Sequence, residues 1–211
     1  VKICCVSDLH GFLPKIPNCD LLLIGGDIVP TDAHDPADSI YWLENTFSHW
    51  LSKISNRMKV VGVAGNHDFI FEHSPECVPA MMDWEYLQDS GLEFNGYKIW
   101  GSPWQPRFFD WAFNLDEEDL VKKWSMIPDD TDILLLHGPP NGYGDFSVYG
   151  NVHTGSPGLL SRIEEVKPKL VVAGHIHSGY GVYNIGETVF INASHVDEKY
   201  RPSNNPVIVN I

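Results

Sequence analysis

Basic side chains are scarce in this chain: 14 Lys and Arg stand against 28 Asp and Glu, a formal net charge of −14 over 211 residues. Affinity for nucleic acid comes largely from Lys and Arg contacts to phosphates, so long DNA or RNA is a poor ligand for it. No apolar run approaches the roughly 18 residues of a membrane span, which argues against a membrane role. The chain also lacks a low-complexity linker and a fixed-period repeat. Residues 1–211 therefore read as a single domain, long enough to bury roughly 70% of its unfolded surface. The opening run Val1–Val6 is too short for a signal peptide and leads directly into Asp8, so it reads as a core strand.

Cysteine is sparse as well. Cys4, Cys5, Cys19 and Cys77 show no C-x-x-C spacing, and neighbouring Cys4 and Cys5 on a strand would point to opposite faces. All four read as small core residues in a reducing, cytoplasmic setting.

What the chain does have is five short polar clusters, each closing an apolar run. They are Asp8-Leu9-His10, Gly26-Asp27, Gly65-Asn66-His67-Asp68, His137-Gly138 and Gly174-His175-Ile176-His177. Together they offer three carboxylates, five imidazoles and one amide, the ligand types that two neighbouring divalent metals need. The runs before them, Val1–Ser7, Asp20–Gly25, Lys59–Ala64, Asp132–Leu136 and Lys169–Ala173, are short and rich in Leu, Ile and Val, as buried strands are. Loops at the carboxyl ends of strands in a covered sheet converge on one edge, so residues remote in sequence can meet there.

Between these strands, Ser39–Ile54 has helical spacing, with Ile40, Leu43, Phe47, Trp50, Leu51 and Ile54 on one face and Asp35-Pro36 or Asp38-Ser39 as its start. Cys77–Leu87, Glu117–Trp124 and Gly158–Glu165 are further predicted helices, and Asp116-Glu117-Glu118-Asp119 suits a solvated helix start. Strands at Tyr97–Gly101, Tyr180–Asn184, Thr188–Asn192 and Pro206–Asn210 complete an α/β fold, a two-sheet sandwich flanked by helices.

In order and across almost the whole chain, the five clusters resemble the D-x-H, GD, GNH(D/E), H and GH-x-H motifs of the calcineurin-like metallophosphoesterases. Tyr86–Ser90, Trp100–Trp104, Thr131–Pro140 and Ile191–Ser194 are similar to the metallophosphoesterase-domain-containing phosphodiesterases within them. Some animal members carry glycine at the position of His175, and those relatives tend to have glutamate at that of Asp68. Here the histidine is kept, so full metal loading is expected.

The resemblance implies an αββα fold and two divalent ions drawn from Mn, Fe, Zn, Ni or Co, with Mn favoured. Asp8, His10 and His177 would hold one ion and Asn66, His137 and His175 the other, with Asp27 bridging. It further implies a hydroxide activated by both metals attacking phosphorus in line, His67 protonating the leaving oxygen and Asp68 orienting the His67 ring.

Other histidines carry blander readings. His34, His49 and His73 read as structural or surface residues, whereas His153 and His195 lie in loops near the edge of the site. The aromatic run Trp100–Phe113 reads first as packing, with base stacking through Trp104 as the alternative; it could also bury itself in a homodimer contact. Asn141, in the Gly- and Pro-rich stretch 138–158, is a further candidate for substrate contact, beside Asn66, His67 and His153. The expected function is hydrolysis of small phosphodiesters of cyclic-nucleotide type. A phosphomonoesterase or protein phosphatase is the alternative within the same chemistry, and a scaffold that has lost turnover is the alternative outside it.

Overall fold

A computed structural model of the chain describes residues 1–80 and 82–211. Two sheets face each other. The first has β1 (Lys2–Val6), β2 (Leu21–Gly25) and β3 (Lys59–Val63) running parallel, continued by Glu85–Tyr86 on one side and closed by antiparallel Val207–Asn210 on the other. In the second, Tyr97–Ser102, Ile133–Leu136, Leu170–Ala173 and Thr188–Asn192 are parallel, with antiparallel strands Ser90–Phe94 and Gly181–Ile185 at the two edges.

The period of two along each strand distributes side chains between layers. Ile3, Cys5, Leu21, Leu23, Val61 and Val63 meet Ile133, Leu135, Leu170, Val172 and Ile191 between the sheets. Cys4, Val6, Leu22, Ile24 and Val60 point the other way, onto the helical segment that carries Leu43, Phe47, Leu51 and Ile54. On the far side Leu134, Leu136, Val171 and Phe190 pack against Leu120 and Trp124 of helix Glu117–Trp124 and Leu159 and Ile163 of helix Pro157–Val166. The order helix, sheet, sheet, helix matches the fold class predicted above. No helix among the described residues is long and apolar enough to cross a membrane.

Helix α1 (Pro36–Trp42) starts where Asp35 accepts a hydrogen bond from Ala37 N at 2.9 Å, with Pro36 in the first turn. It runs on through a π-helical turn, Leu43–Phe47, into Ser48–Ser55. The helix predicted over Cys77–Leu87 does not form. Val78, ahead of Pro79, is extended at ψ 129°, as the proline ring demands, and only the short 3₁₀ turn Pro75–Cys77 and strand Glu85–Tyr86 occur there. Met81, within that span, lies outside the described residues. The strand Ser90–Phe94 was not predicted, although the Asn95-Gly96 pair that turns it into Tyr97–Ser102 is a hairpin signal: both residues have positive φ, 48° and 81°.

Candidate metal centre

Each polar cluster leaves the carboxyl end of a parallel strand. Asp8 and His10 follow β1, Asp27 follows β2, Asn66 and His67 follow β3, His137 follows Ile133–Leu136, and His175 and His177 follow Leu170–Ala173. The turns are tight enough to force left-handed backbone on Asp8 (φ 52°), His10 (41°), Asp27 (51°) and His175 (67°). Such conformations cost of order 1–3 kcal/mol each and cluster where function dictates geometry. Two glycines make the approach possible: a Cβ on Gly65 would lie 2.3 Å from Asp27 Oδ1, and one on Gly174 would lie 2.0 Å from Asp8 Oδ2.

The seven predicted ligands meet. Asp8 Oδ1 is 3.4 Å from His177 Nε2, and ligand atoms of Asp8, His10 and His177 lie within 4.8 Å of one another. Asn66 Oδ1 is 2.7 Å from both His137 Nε2 and His175 Nδ1. Asp27 Oδ2 stands between the two groups, 3.5 Å from His10 Nε2 and 3.6 Å from His137 Nε2, while its Oδ1 accepts from His67 N at 2.7 Å. Outer partners aim the rings. Gly25 O lies 2.8 Å from His137 Nδ1 and fixes a proton there, leaving Nε2 of the neutral ring bare, and Asp197 O, 3.1 Å from His177 Nδ1, takes that ring's Nδ1 proton and turns its Nε2 toward Asp8. Asp8 also accepts from His175 N at 3.0 Å and from the Ser194 hydroxyl at 2.8 Å.

Electrostatically the cluster is discontented without cations. Burial, then the charge of Asp8, pushes Asp27 well above the usual carboxylate range. Burial pushes Asp8 the same way, but His177, His137 and His10 outweigh it and hold that carboxyl below its ordinary value. Burial lowers His10, His137 and His175, opposed at each by the charge of Asp8. His177 is raised, its burial outweighed by the bond to Asp8.

Residues 1–179 match the family model described as calcineurin-like phosphoesterase. Metallophosphoesterase domain-containing protein 1 of Homo sapiens is 34% identical over 238 residues, covering 100% of this chain and 71% of that relative.

The chain belongs to the calcineurin-like phosphoesterase family.

A UPF0046 protein of Caenorhabditis elegans is 33% identical over 235 residues, covering 100% of this chain and 81% of that protein. Among solved structures, TT1561 of Thermus thermophilus shares the fold, with a TM-score of 0.59 at 16% identity over 90% of this chain and 88% of that one. Membership in the calcineurin-like phosphoesterases implies a metal-dependent hydrolase of phosphoric esters with a pair of divalent cations. The residues fit that pair. Both ring nitrogens of His10 and the Asn66 amide nitrogen are buried without a hydrogen-bond partner. At His137 a bare Nε2 faces the Asn66 carbonyl oxygen at 2.7 Å, two lone pairs that a cation reconciles.

The remaining predicted residues separate. His67 lines a cavity of about 600 Å³ above the centre, and its ring is pushed down to about 3 by burial and then by His34 and His137. Asp68 does not orient that ring. Its carboxylate is fully used by Ile28 N, Val29 N and Gly65 N at 2.9, 2.9 and 2.7 Å, and burial with the charge of Asp27 pushes it up to about 7. The ring partner is His34, whose Nε2 lies 3.0 Å from His67 Nδ1. His34, which reads from the sequence as a structural or surface residue, makes this contact because of the fold, and nothing in its spacing from His67 signals it.

Trp104, Asn141 and His153 are absent from the cavity lining. Trp104 is half-buried between two cores, donating to Asp89 Oδ2 at 2.9 Å with Lys123 Nζ 4.5 Å over its ring. Asn141 Nδ2 binds Gly155 O at 3.4 Å, and the exposed His153 pairs with Asp145 at 2.7 Å, so both tie down their own loop. The aromatic lining comes instead from Phe108, Phe109, Trp111, Tyr149 and Tyr200.

Proposed function

We propose that the chain is a phosphodiesterase acting on small diesters of nucleotide type, cyclic nucleotides included. The observation that carries this reading is the cavity over the metal centre, walled by aromatic rings and poor in free positive charge. Its one guanidinium, Arg107, is engaged by Asp116 at 2.8 Å, and Glu198 adds an acidic group to the lining. A diester carries one negative charge where a monoester carries nearly two, so a wall without spare cations favours the diester. Several flat rings in the lining suit a nucleobase, since every base has a π-face. With a net charge of −14 the surface repels a polymer of phosphates.

Two divalent ions, when bound, supply an activated water and polarise the phosphoryl oxygens, and Mn is the candidate we favour. The chain's own part begins with orientation. Gly25 O and Asp197 O keep His137 and His177 turned inward, and Asp27 fixes the His67 backbone through Oδ1. His67 then delivers a proton from Nε2 to the leaving oxygen, because Nδ1 is committed to His34. A reducing, cytoplasmic setting belongs to the same reading, supported by four free thiols, three of them buried.

The test is hydrolysis of bis(p-nitrophenyl) phosphate, p-nitrophenyl phosphate and 2′,3′-cyclic AMP by protein stripped of metal and reloaded with Mn. Metal-dependent turnover with both diesters ahead of the monoester is the expected result. A faster monoester would move the reading to a phosphatase, and no turnover with any reloaded metal would leave a binding protein.

A further inference from the structure

We infer that His34 is a positioning residue for His67, holding the imidazole so that Nε2 faces the reacting phosphate. The inference rests on the reading of His67 as proton donor given above.

The contact is built, since several bonds fix the segment that carries His34. Ala33 N donates to Pro30 O at 3.0 Å, and the buried Ser39 hydroxyl donates to Ala33 O at 2.5 Å. Asp35 next to it caps α1. His34 therefore stands on a clamped turn at the mouth of a helix, its ring 4.9 Å from that of Phe69 and 5.0 Å from that of His67. On the other side Trp111 closes on His67 at 4.5 Å between centroids.

Imidazole rotation about its outer torsion is broad and roughly two-fold, so packing between flat rings does not by itself choose which nitrogen faces the cavity. A hydrogen bond at Nδ1 does. Asp68, the sequence neighbour that could have made it, is occupied by three backbone N–H groups. His34 is a partner of another kind, because a neutral imidazole can donate or accept whereas a carboxylate only accepts. A phosphate anion beside the ring favours its charged form, so His67 enters the chemical step protonated on both nitrogens, and its Nε2 proton passes to the departing alkoxide as the P–O bond breaks. The neutral ring keeps its Nδ1 proton on His34 Nε2, and solvent returns the proton to Nε2 afterwards.

The experiment uses His34→Ala, His34→Gln and His67→Ala on the whole chain, with two readouts. Losing a group that orients a functional imidazole typically costs about 10- to 100-fold. His34→Ala should lower kcat by that factor on 2′,3′-cyclic AMP, whose leaving group is an alkoxide, and by much less on bis(p-nitrophenyl) phosphate, whose nitrophenolate needs no proton. Metal content should be unchanged, and His34→Gln, which can still bond Nδ1, should recover part of the loss. Nitrogen NMR of the zinc-loaded protein should show a hydrogen-bonded His67 Nδ1 in the parent and in His34→Gln but not in His34→Ala. Equal losses on both esters, or a His67 signal indifferent to position 34, would overturn the role of His34. A His67→Ala variant without leaving-group dependence, beside an intact Nδ1 bond in the parent, would instead overturn the proton-donor reading.

Discussion

Asp27 Oδ2 lies 3.5 Å from His10 Nε2, two buried side chains brought together from loops after neighbouring strands. The same oxygen is 3.6 Å from His137 Nε2, so one carboxylate serves both ligand groups. Asp27 would then be a ligand to both cations, as a carboxylate is in two-metal sites generally. Asp27→Ala should therefore deplete both metals together, and elemental analysis of the purified variant gives the check. Near-normal content would remove Asp27 from the bridge. Chelation of the parent should lower Tm as well, since a ligand bound only by the folded chain adds about 2.7 kcal/mol at a hundred times its Kd.

Ser194, two residues beyond the strand Thr188–Asn192, reaches the centre with its hydroxyl 2.8 Å from Asp8 Oδ2. Ser194→Ala removes a donor that holds the carboxylate, while His137, His175 and Asn66 keep their own partners. Metal affinity should fall about 10- to 100-fold at one of two sites only. Calorimetric titration of metal-free protein separates the two binding steps. A loss shared equally between them would contradict the assignment of Asp8 to one ion.

Most of the centre was legible because its parts are local. A ligand at a strand end announces itself by an apolar run and then a polar residue, and five such runs had only one edge on which to meet. What stayed hidden depends on the third dimension. The Asp68 carboxylate reaches across to Ile28 and Val29, forty residues back, and frees His67 for a histidine on a different loop. Nothing in the spacing of residues 34 and 67 encodes that exchange. The aromatic run 100–113 hid a division of another sort: Trp104 faces inward to Phe113 and Asp89, whereas Phe108, Phe109 and Trp111 face the cavity. Irregular backbone has no period to reveal the difference. The missing helix over Cys77–Leu87 had a readable cause in Pro79, which the apolar spacing around it overrode.

Asp68 is therefore a structural carboxylate. Its three backbone donors belong to the loops after β2 and β3, and leaving buried N–H groups unpaired costs about 1–3 kcal/mol each. Asp68→Ala should lose about 3 kcal/mol or more in urea unfolding, and Asp68→Asn, which keeps one acceptor oxygen, should lose less. Leaving-group dependence should persist in Asp68→Asn. Its disappearance there, with stability intact, would return to Asp68 the ring-orienting role.

Trp104 and Trp111 should separate in the same way. Trp104 packs against two cores, its ring 5.3 Å from that of Phe113, so Trp104→Ala should cost about 3 kcal/mol of stability and leave KM for 2′,3′-cyclic AMP close to the parent value. Trp111 is half-buried on the cavity wall beside His67, with Phe108 and Phe109 at 5.4 and 5.7 Å between ring centroids. Stacking of a base on an aromatic ring is worth about 1–3 kcal/mol, which corresponds to a rise in KM between roughly five- and a hundredfold for Trp111→Ala. The rise should vanish for dimethyl phosphate used as a competing ligand, because that diester has no ring to stack. Steady-state kinetics with both ligands decides it: an unchanged KM for the nucleotide in Trp111→Ala would deny that wall a part in recognition.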